Sequence, residues 1–229
     1  MQYKNYLVNK IGFIEVTNNL GLKVIFTAAG AAIRDIYFNN EKMTNNASSD
    51  NDFLNKNNIY GKISGPFFDE KITINGKEYK FDKGYSLNNL LYSSKPQFQG
   101  NSFLVQYSFK KRKMTDGLPG NITYYITYAL IDGRNDLLID YRATSSEKTP
   151  LSMSNNLFFV LDTGKVFHHK DNVIENSKYR VEIESDHPSI KYEEVEGFEG
   201  LSVYPIEDIK EENLSYSYRR QVIYKFSKK

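Results

Sequence analysis

Side chains that alternate between two faces at every second residue are the feature that most constrains the fold of this chain. In NITYYITYALI, residues 121–131, one side of an extended segment carries only large apolar or aromatic groups: Ile122, Tyr124, Ile126, Tyr128 and Leu130. The next segment, DLLIDYRATS, repeats the alternation after the turn residues 132–135. A period of two is that of a β-strand with one buried face, so the two segments predict an antiparallel hairpin.

Shorter segments predict further strands. KITINGKEYKF, residues 71–81, places Asn75-Gly76 where a type I′ hairpin turn needs them. GLKVIFTA near the start and QVIYKF near the end add two more, and the 18 tyrosines and 15 phenylalanines favour strands. Because no segment keeps a helical period over three turns, the sequence predicts an all-β fold.

Composition excludes several classes of protein. The 229 residues carry a net charge of only +2, which gives no electrostatic footprint for nucleic acid or for an anionic membrane. The absence of cysteine excludes a disulfide scaffold, a thiol nucleophile and a thiolate metal site. The amino-terminal residues MQYKNYLVNK lack a signal-peptide core, and no apolar run reaches the length of a membrane span. We therefore expect a cytoplasmic protein.

The chain is expected to form one domain over residues 1–229, since no segment has the composition of a linker. Residues 38–58, FNNEKMTNNASSDNDFLNKNN, are polar and rich in asparagine, and they predict a long surface loop. The local basic run FKKRKMTD, residues 109–116, is expected to be a solvated loop because the total charge is near neutral.

Residues 116–159, DGLPGNITYYITYALIDGRNDLLIDYRATSSEKTPLSMSNNLFF, resemble the aldose 1-epimerase (galactose mutarotase) family. The opening VTNNLGLKVIFTAAGAAIRDIYFNNEKMT and the closing LSYSYRRQVIYKF resemble it more loosely. The resemblance implies an antiparallel β-supersandwich of the galactose-mutarotase type, an open cleft for a small-molecule carbohydrate, and a part in carbohydrate metabolism. Because both ends match and the chain is short for the family, it also implies an internal deletion, chiefly between Phe159 and Gly200.

The family's catalytic positions hold other residues here. Mutarotation needs an acid and a base that change protonation near neutral pH. By the resemblance, Asn156 takes the place of the proton-donating histidine, Tyr92 that of a second histidine, Tyr204 that of the basic glutamate, and Pro66 that of a substrate-binding arginine. An amide can hydrogen-bond a sugar but cannot donate and recover a proton. The substrate-binding residues that the resemblance implies are Asn155, Asn156, Tyr92, Lys62 and Tyr204.

Other residues are candidate replacements for the acid and the base. His169, Glu207 and Tyr92 are the candidate catalytic residues, set against the simpler interpretation of exposed histidines and solvated loop carboxylates. Only one of the adjacent His168 and His169 can face a cleft from a strand. The two asparagines could instead satisfy backbone groups at a β-bulge. No third ligand accompanies the histidine pair, so no metal site and no cofactor are expected.

Three functions remain open from the sequence. The first is a catalytically degenerate member of the family that binds a sugar without turning it over. The second is an isomerase of the aldose 1-epimerase type with a non-standard acid and base, so whether the chain is an enzyme stays uncertain. The third is an interaction protein with a vestigial cleft. The sequence leaves the oligomeric state open.

Overall fold

The computed structural model describes residues 1–44, 59–62, 71–80, 87–160, 168–194, 200–207 and 214–229. Within these ranges the regular structure is β-strand, apart from one 3-10 turn at Leu87–Asn89. The strands, numbered in chain order, are β1 (Gln2–Val8), β2 (Ile11–Thr17), β3 (Leu22–Thr27), β4 (Ile33–Phe38), β5 (Glu41–Lys42), β6 (Ile59–Lys62), β7 (Lys71–Ile74), β8 (Lys77–Lys80), β9 (Ser93–Gln99), β10 (Ser102–Lys111), β11 (Ile122–Ile131), β12 (Asp136–Thr149), β13 (Ser152–Asn155), β14 (Leu157–Phe159), β15 (His168–Lys170), β16 (Val173–Glu175), β17 (Tyr179–Ser185), β18 (Ser189–Glu194), β19 (Leu201–Ile206) and β20 (Ser215–Lys228). The predicted all-β class is confirmed.

The strands form antiparallel sheets of different sizes. β1 to β5 make one sheet in chain order, and a larger sheet has the order β15-β16-β17-β20-β12-β11-β10-β9. Three smaller sheets pair β13 with β6, β7 with β8, and β14 with β19 and β18. Among the described residues, no helix is long and apolar enough to cross a membrane.

The two hairpins predicted from the sequence are confirmed. β11 and β12 pair in the register that sets Ile126 opposite Tyr141, and the predicted inward face of each strand is buried. β7 and β8 pair around Asn75 and Gly76, whose φ angles of 52° and 75° are those of a type I′ turn.

The five-stranded sheet covers one part of the inward face of the large sheet. The rings of Phe26 and Tyr128 stack with 4.7 Å between centroids, and the Tyr128 hydroxyl donates to the Ala31 carbonyl at 2.5 Å. At another point of the same interface, the ring centroids of Phe38 in β4 and Phe226 in β20 lie 6.0 Å apart. These contacts join the two sheets in one hydrophobic cluster.

The small sheets cover another part of that inward face. The ring of Phe159 in β14 lies 5.9 Å from the ring of Tyr224 in β20. Met153 in β13 is fully buried in the same cluster as the two larger sheets. This packing places the end of β13 and the start of β14 against the large sheet.

The predicted loop at residues 38–58 begins as a hairpin. The chain turns at Asn39 and Asn40, both with positive φ, and returns as β5 against β4. Met43 and Thr44 are buried beyond it. Residues 45–58 of the predicted loop lie outside the described residues.

β9 is the last strand of the large sheet, and it contains a proline. Pro96 lies opposite Val105 of β10, and its neighbour Lys95 is exposed. Proline has no N–H to donate to a ladder, so it is tolerated only where a sheet ends or bulges.

The basic run at residues 109–116 is not wholly solvated as predicted. β10 extends to Lys111, whose side chain is buried beside an equally buried Asp116. The Lys111 ammonium donates to the Asp116 carboxylate at 2.7 Å and to the Leu118 carbonyl at 3.3 Å. The ion pair thus ties the turn before β11 to the end of β10.

Replacing Lys111 by Met should lower the free energy of unfolding by about 3–5 kcal/mol, because it removes the cation that faces a buried carboxylate. Urea unfolding measures the change. The matched control is Lys113→Met, which breaks the exposed pair with Glu147 and should cost about 1 kcal/mol or less. Equal losses in the two variants would contradict the role given to Lys111.

Candidate functional site

Asn155 and Asn156 turn to opposite sides of the segment formed by β13 and β14. Asn155 is 1% exposed; its amide oxygen accepts from the Tyr141 hydroxyl, and its Nδ2 donates to the Tyr224 hydroxyl at 2.9 Å. The Asn156 amide oxygen accepts from the Ser202 hydroxyl at 2.8 Å. Asn155 therefore belongs to the interior, and its burial does not fit the predicted contact with a sugar.

Asn156 lies beside the outward face of the three-stranded sheet β14-β19-β18. Cross-strand partners share a face, and the register aligns Phe158 with Ser202 and Ser202 with Glu193. Leu201 and Val203 alternate with this row and enter the core. We call this row the Asn156 face; its members are Asn156, Phe158, Lys191, Glu193, Ser202 and Tyr204. Asn156, Phe158 and Ser202 are buried in it, at 8%, 8% and 2% exposure, whereas Lys191 and Glu193 are exposed and Tyr204 is half-buried.

The Asn156 face combines several kinds of polar group with two aromatic rings. Tyr204 is half-buried, and its hydroxyl donates to the carboxylate of the exposed Glu193. Lys191, opposite Tyr204 in the register, adds an exposed ammonium group. The accessible phenol, carboxylate and ammonium groups can donate to and accept from a ligand that carries several hydroxyl groups.

Tyr92 lies in the core rather than in a cleft. It is 4% exposed, its hydroxyl donates to the Leu87 carbonyl at 3.1 Å, and its backbone N–H donates to Ala28. Burial raises the pKa of the Tyr92 phenol far above its ordinary value. The phenol therefore keeps its proton at neutral pH, and Tyr92 fits neither of its predicted roles, sugar contact or proton transfer.

Glu207 is held by a guanidinium group. Arg220 donates to its two carboxylate oxygens through Nε at 3.1 Å and Nη2 at 2.6 Å. Both carboxylate oxygens are therefore already engaged by one guanidinium group. The predicted role of Glu207 as a base does not fit this pairing.

The structure gives only backbone positions for the two remaining candidates. His169 lies in β15 opposite Ile174, at the edge of the large sheet, and Lys62 ends β6 opposite Ser152. The side chains of His169 and Lys62 lie outside the described residues. Among the side chains that are described, no three His, Asp or Glu residues approach closely enough to hold a metal ion.

His187 is a buried residue behind β13 that the sequence analysis did not select. Its Nε2 lies 2.8 Å from the Met153 carbonyl, and its Nδ1 lies 2.9 Å from the Ser185 hydroxyl. Since a carbonyl only accepts, Nε2 carries the proton and Nδ1 accepts from Ser185. Burial lowers the pKa of His187, while the bond to Met153 opposes that shift. The neutral imidazole therefore braces the strand that carries the asparagines.

Four members of the Asn156 face, namely Phe158, Lys191, Glu193 and Ser202, were also missed by the sequence analysis. The alternation in LSVYP, residues 201–205, shows that Ser202 shares a face with Tyr204, so Ser202 was within reach of a pattern argument. Glu193 was not within reach of a pattern argument, because its place beside Tyr204 depends on the pairing of β18 with β19.

Comparison with known sequences identifies similar proteins. A family model described as aldose 1-epimerase matches residues 12–197. The galactose mutarotase of Rattus norvegicus is 28% identical over 111 residues, which are 45% of this chain and 31% of the relative. The galactose mutarotase of Mus musculus is 29% identical over 113 residues, with the same coverage. The match thus spans about a third of the length of these relatives.

Comparison with solved structures identifies the same fold. A galactose 1-epimerase from Lactobacillus acidophilus NCFM superposes with a TM-score of 0.84 at 13% identity, over 99% of this chain and 98% of that chain. An aldose epimerase homologue from C. elegans gives a TM-score of 0.77 at 16% identity, over 95% and 99% of the two chains. The predicted galactose-mutarotase type of fold is confirmed.

Replacing Asn155 by Ala should lower the free energy of unfolding by about 2–4 kcal/mol, because two buried tyrosine hydroxyls lose their partner. Chemical denaturation checks this value. Asn101→Ala, in the exposed turn between β9 and β10, is the control and should change stability by about 0.5 kcal/mol or less. A loss in Asn155→Ala no larger than in the control would contradict the structural role.

His187 should make stability decrease as the pH falls. Below the ordinary histidine pKa of about 6.5 the unfolded chain binds a proton that the folded chain, with its lowered pKa, does not bind. The free energy of unfolding should therefore drop between about pH 7.5 and about pH 5.5, by no more than about 1.4 kcal/mol per pH unit for this residue. His187→Gln should reduce the drop measured by urea unfolding, whereas an undiminished drop would contradict the assignment.

Proposed function

The chain belongs to the aldose 1-epimerase family, and on that premise we propose that it binds a carbohydrate at the Asn156 face without turning it over. The observation that supports the proposal is the position of the Tyr204–Glu193 pair and of Lys191 over the buried Asn156–Ser202 pair. By the sequence resemblance, Asn156 takes the place of the family's proton-donating histidine.

The chemistry of the face suits a sugar. Neighbouring hydroxyl groups of a monosaccharide each donate and accept, and amide and carboxylate groups present paired sites for them. The half-buried ring of Tyr204 adds apolar surface against which the C–H groups of a pyranose can pack. The names of the rat and mouse relatives refer to galactose, so galactose is the first ligand to test.

Binding without turnover is proposed because several candidate acids and bases among the described residues are engaged elsewhere in the structure. The amide of Asn156 cannot serve as an acid or a base, and the buried phenol of Tyr92 keeps its proton. The imidazole of His187 is neutral, and its two nitrogens are bonded to Met153 and Ser185. The carboxylate of Glu207 is engaged by Arg220.

One observation favours an isomerase of the aldose 1-epimerase type as the second candidate function. Glu193 and Tyr204 set a carboxylate beside a phenol on the Asn156 face, and such a pair could act as base and acid. The exposed position of Glu193 leaves its carboxylate accessible to a ligand.

The test follows the anomeric NMR signals of fresh α-galactose and α-glucose with and without the protein. Binding should broaden these signals while the rate of mutarotation stays at its value in buffer. Asn156→Ala should weaken binding by roughly tenfold, because it removes a hydrogen-bonding group worth about 1–2 kcal/mol. Asn101→Ala serves as the control and should bind like the original chain.

The other outcomes identify the alternatives. Mutarotation faster than in buffer, and lost in Glu193→Gln, would replace the binding function by the isomerase. Absence of broadening with both sugars would contradict the proposal and favour an interaction protein with a vestigial cleft.

A further inference from the structure

The outward side of the large sheet contains a second polar groove, separate from the Asn156 face. Side chains alternate along β12, so Tyr141 enters the core while Asp140 and Arg142 face outward. The groove has a volume of about 290 Å³ and crosses the strands from β9 to β20. Its lining residues are Lys95, Gln97, Leu104, Gln106, Thr127, Ala129, Leu138, Asp140, Arg142 and Gln221.

Asp140 is the centre of a preorganised network in this groove. Asp140 is only 5% exposed. Its carboxylate accepts hydrogen bonds from Nε of Arg142, from Nε of Arg219 at 3.0 Å and from Nε2 of Gln221 at 2.9 Å. The bonds to Asp140 use one nitrogen of each guanidinium group, and the two arginine side chains remain more than half exposed. The carboxylate therefore fixes both arginines without occupying their terminal nitrogens.

The charges around Asp140 are unbalanced. Arg142 and Arg219 lie directly opposite each other on β12 and β20, an arrangement that like charges disfavour. Asp140 compensates only one of them, and Lys95 adds a third positive charge at the β9 side. The excess of positive charge favours a ligand with an oxyanion, since guanidinium groups bind phosphate and carboxylate in a bidentate manner.

The rest of the groove suits a small polyhydroxylated body. Three glutamine amides and the Thr127 hydroxyl can donate to or accept from ligand hydroxyls, and Gln106 already donates to Thr127. Leu104, Ala129 and Leu138 form an aliphatic patch against which ring carbons can pack. The volume lies at the small end of the range for ligand pockets, which limits the ligand to about one sugar ring.

We propose that this groove binds an anionic monosaccharide, a sugar that carries a phosphate or a carboxylate group. The oxyanion lies between Arg142 and Arg219, and the sugar hydroxyls meet the amides of Gln106 and Gln221. The inference does not rest on the Asn156 face, because the two surfaces share no residue and lie on different sheets.

The test is an amide NMR titration of the full chain with glucose 6-phosphate, glucuronate, glucose and inorganic phosphate. At least one anionic sugar should shift the amides of Gln106, Thr127, Asp140 and Gln221 in a saturable manner. Glucose and inorganic phosphate should each bind at least about tenfold more weakly, since each lacks one half of the recognised chemistry. The anionic sugar that binds identifies phosphate or carboxylate as the recognised group.

Arg142→Gln and Arg219→Gln should each weaken binding by at least about tenfold, because each removes a charge-assisted pair. Lys95→Gln changes an exposed residue at the edge of the sheet and should weaken binding to a smaller extent. This variant keeps the test valid if an arginine variant is unstable. The matched control is Arg134→Gln, whose arginine pairs with Asp136 away from the groove, and it should bind like the original chain.

Several results would overturn the proposal. The arginine and lysine variants could bind the anionic sugar as tightly as the original chain does. The original chain could also bind glucose, or inorganic phosphate, as tightly as it binds the anionic sugars. Absence of any saturable shift would do the same. Shifts by the anionic sugar that are confined to the Asn156 face would also overturn it while leaving the proposed function intact.

Discussion

The structure depends on finding hydrogen-bond partners for tyrosine hydroxyls inside an otherwise apolar core. Tyr128, Tyr141 and Tyr224 are among the largest fully buried side chains, and each brings a polar group to the inward face of the large sheet. Leaving such a group without a partner is costly, and the layers that cover the sheet supply partners to these three hydroxyls, whereas the buried hydroxyls of Tyr107 and Tyr124 have none among the described residues. The Ala31 carbonyl, between β3 and β4 of the five-stranded sheet, accepts from Tyr128. The Asn155 amide, at the end of β13, bonds to the hydroxyls of Tyr141 and Tyr224. The phenols thus fix the position of both covering layers.

The sequence predicts those parts of the fold that local patterns determine. The alternation of large and polar residues identifies β11, β12 and their buried faces, and Asn75-Gly76 identifies a tight turn. The alternation does not identify the roles of Asn155 and Tyr92, because these two residues are buried by strands and loops that are distant along the chain. At Ser154-Asn155-Asn156 three polar residues follow one another, so the pattern itself does not say which of them faces the core. Lys111 was misjudged for a related reason, since its partner lies beyond a turn.

Asn155 and Asn156 have different structural tasks. Asn155 ties β13 to the tyrosines of the large sheet, a task that requires an amide able both to donate and to accept. The neighbouring Asn156 is 8% exposed, and its amide oxygen accepts from Ser202 rather than from the large sheet. Adjacent residues of one strand segment are thus subject to different constraints.

The proline in β9 also limits how this molecule can associate. An exposed sheet edge is a template on which another chain can add a strand, which is a common route to aggregation. Pro96 interrupts the row of donors on β9, and the charge of Lys95 opposes close approach of a second copy. A neighbouring chain would find no continuous ladder to extend at this edge. Association at this edge therefore depends on side chains rather than on a continuous row of backbone donors.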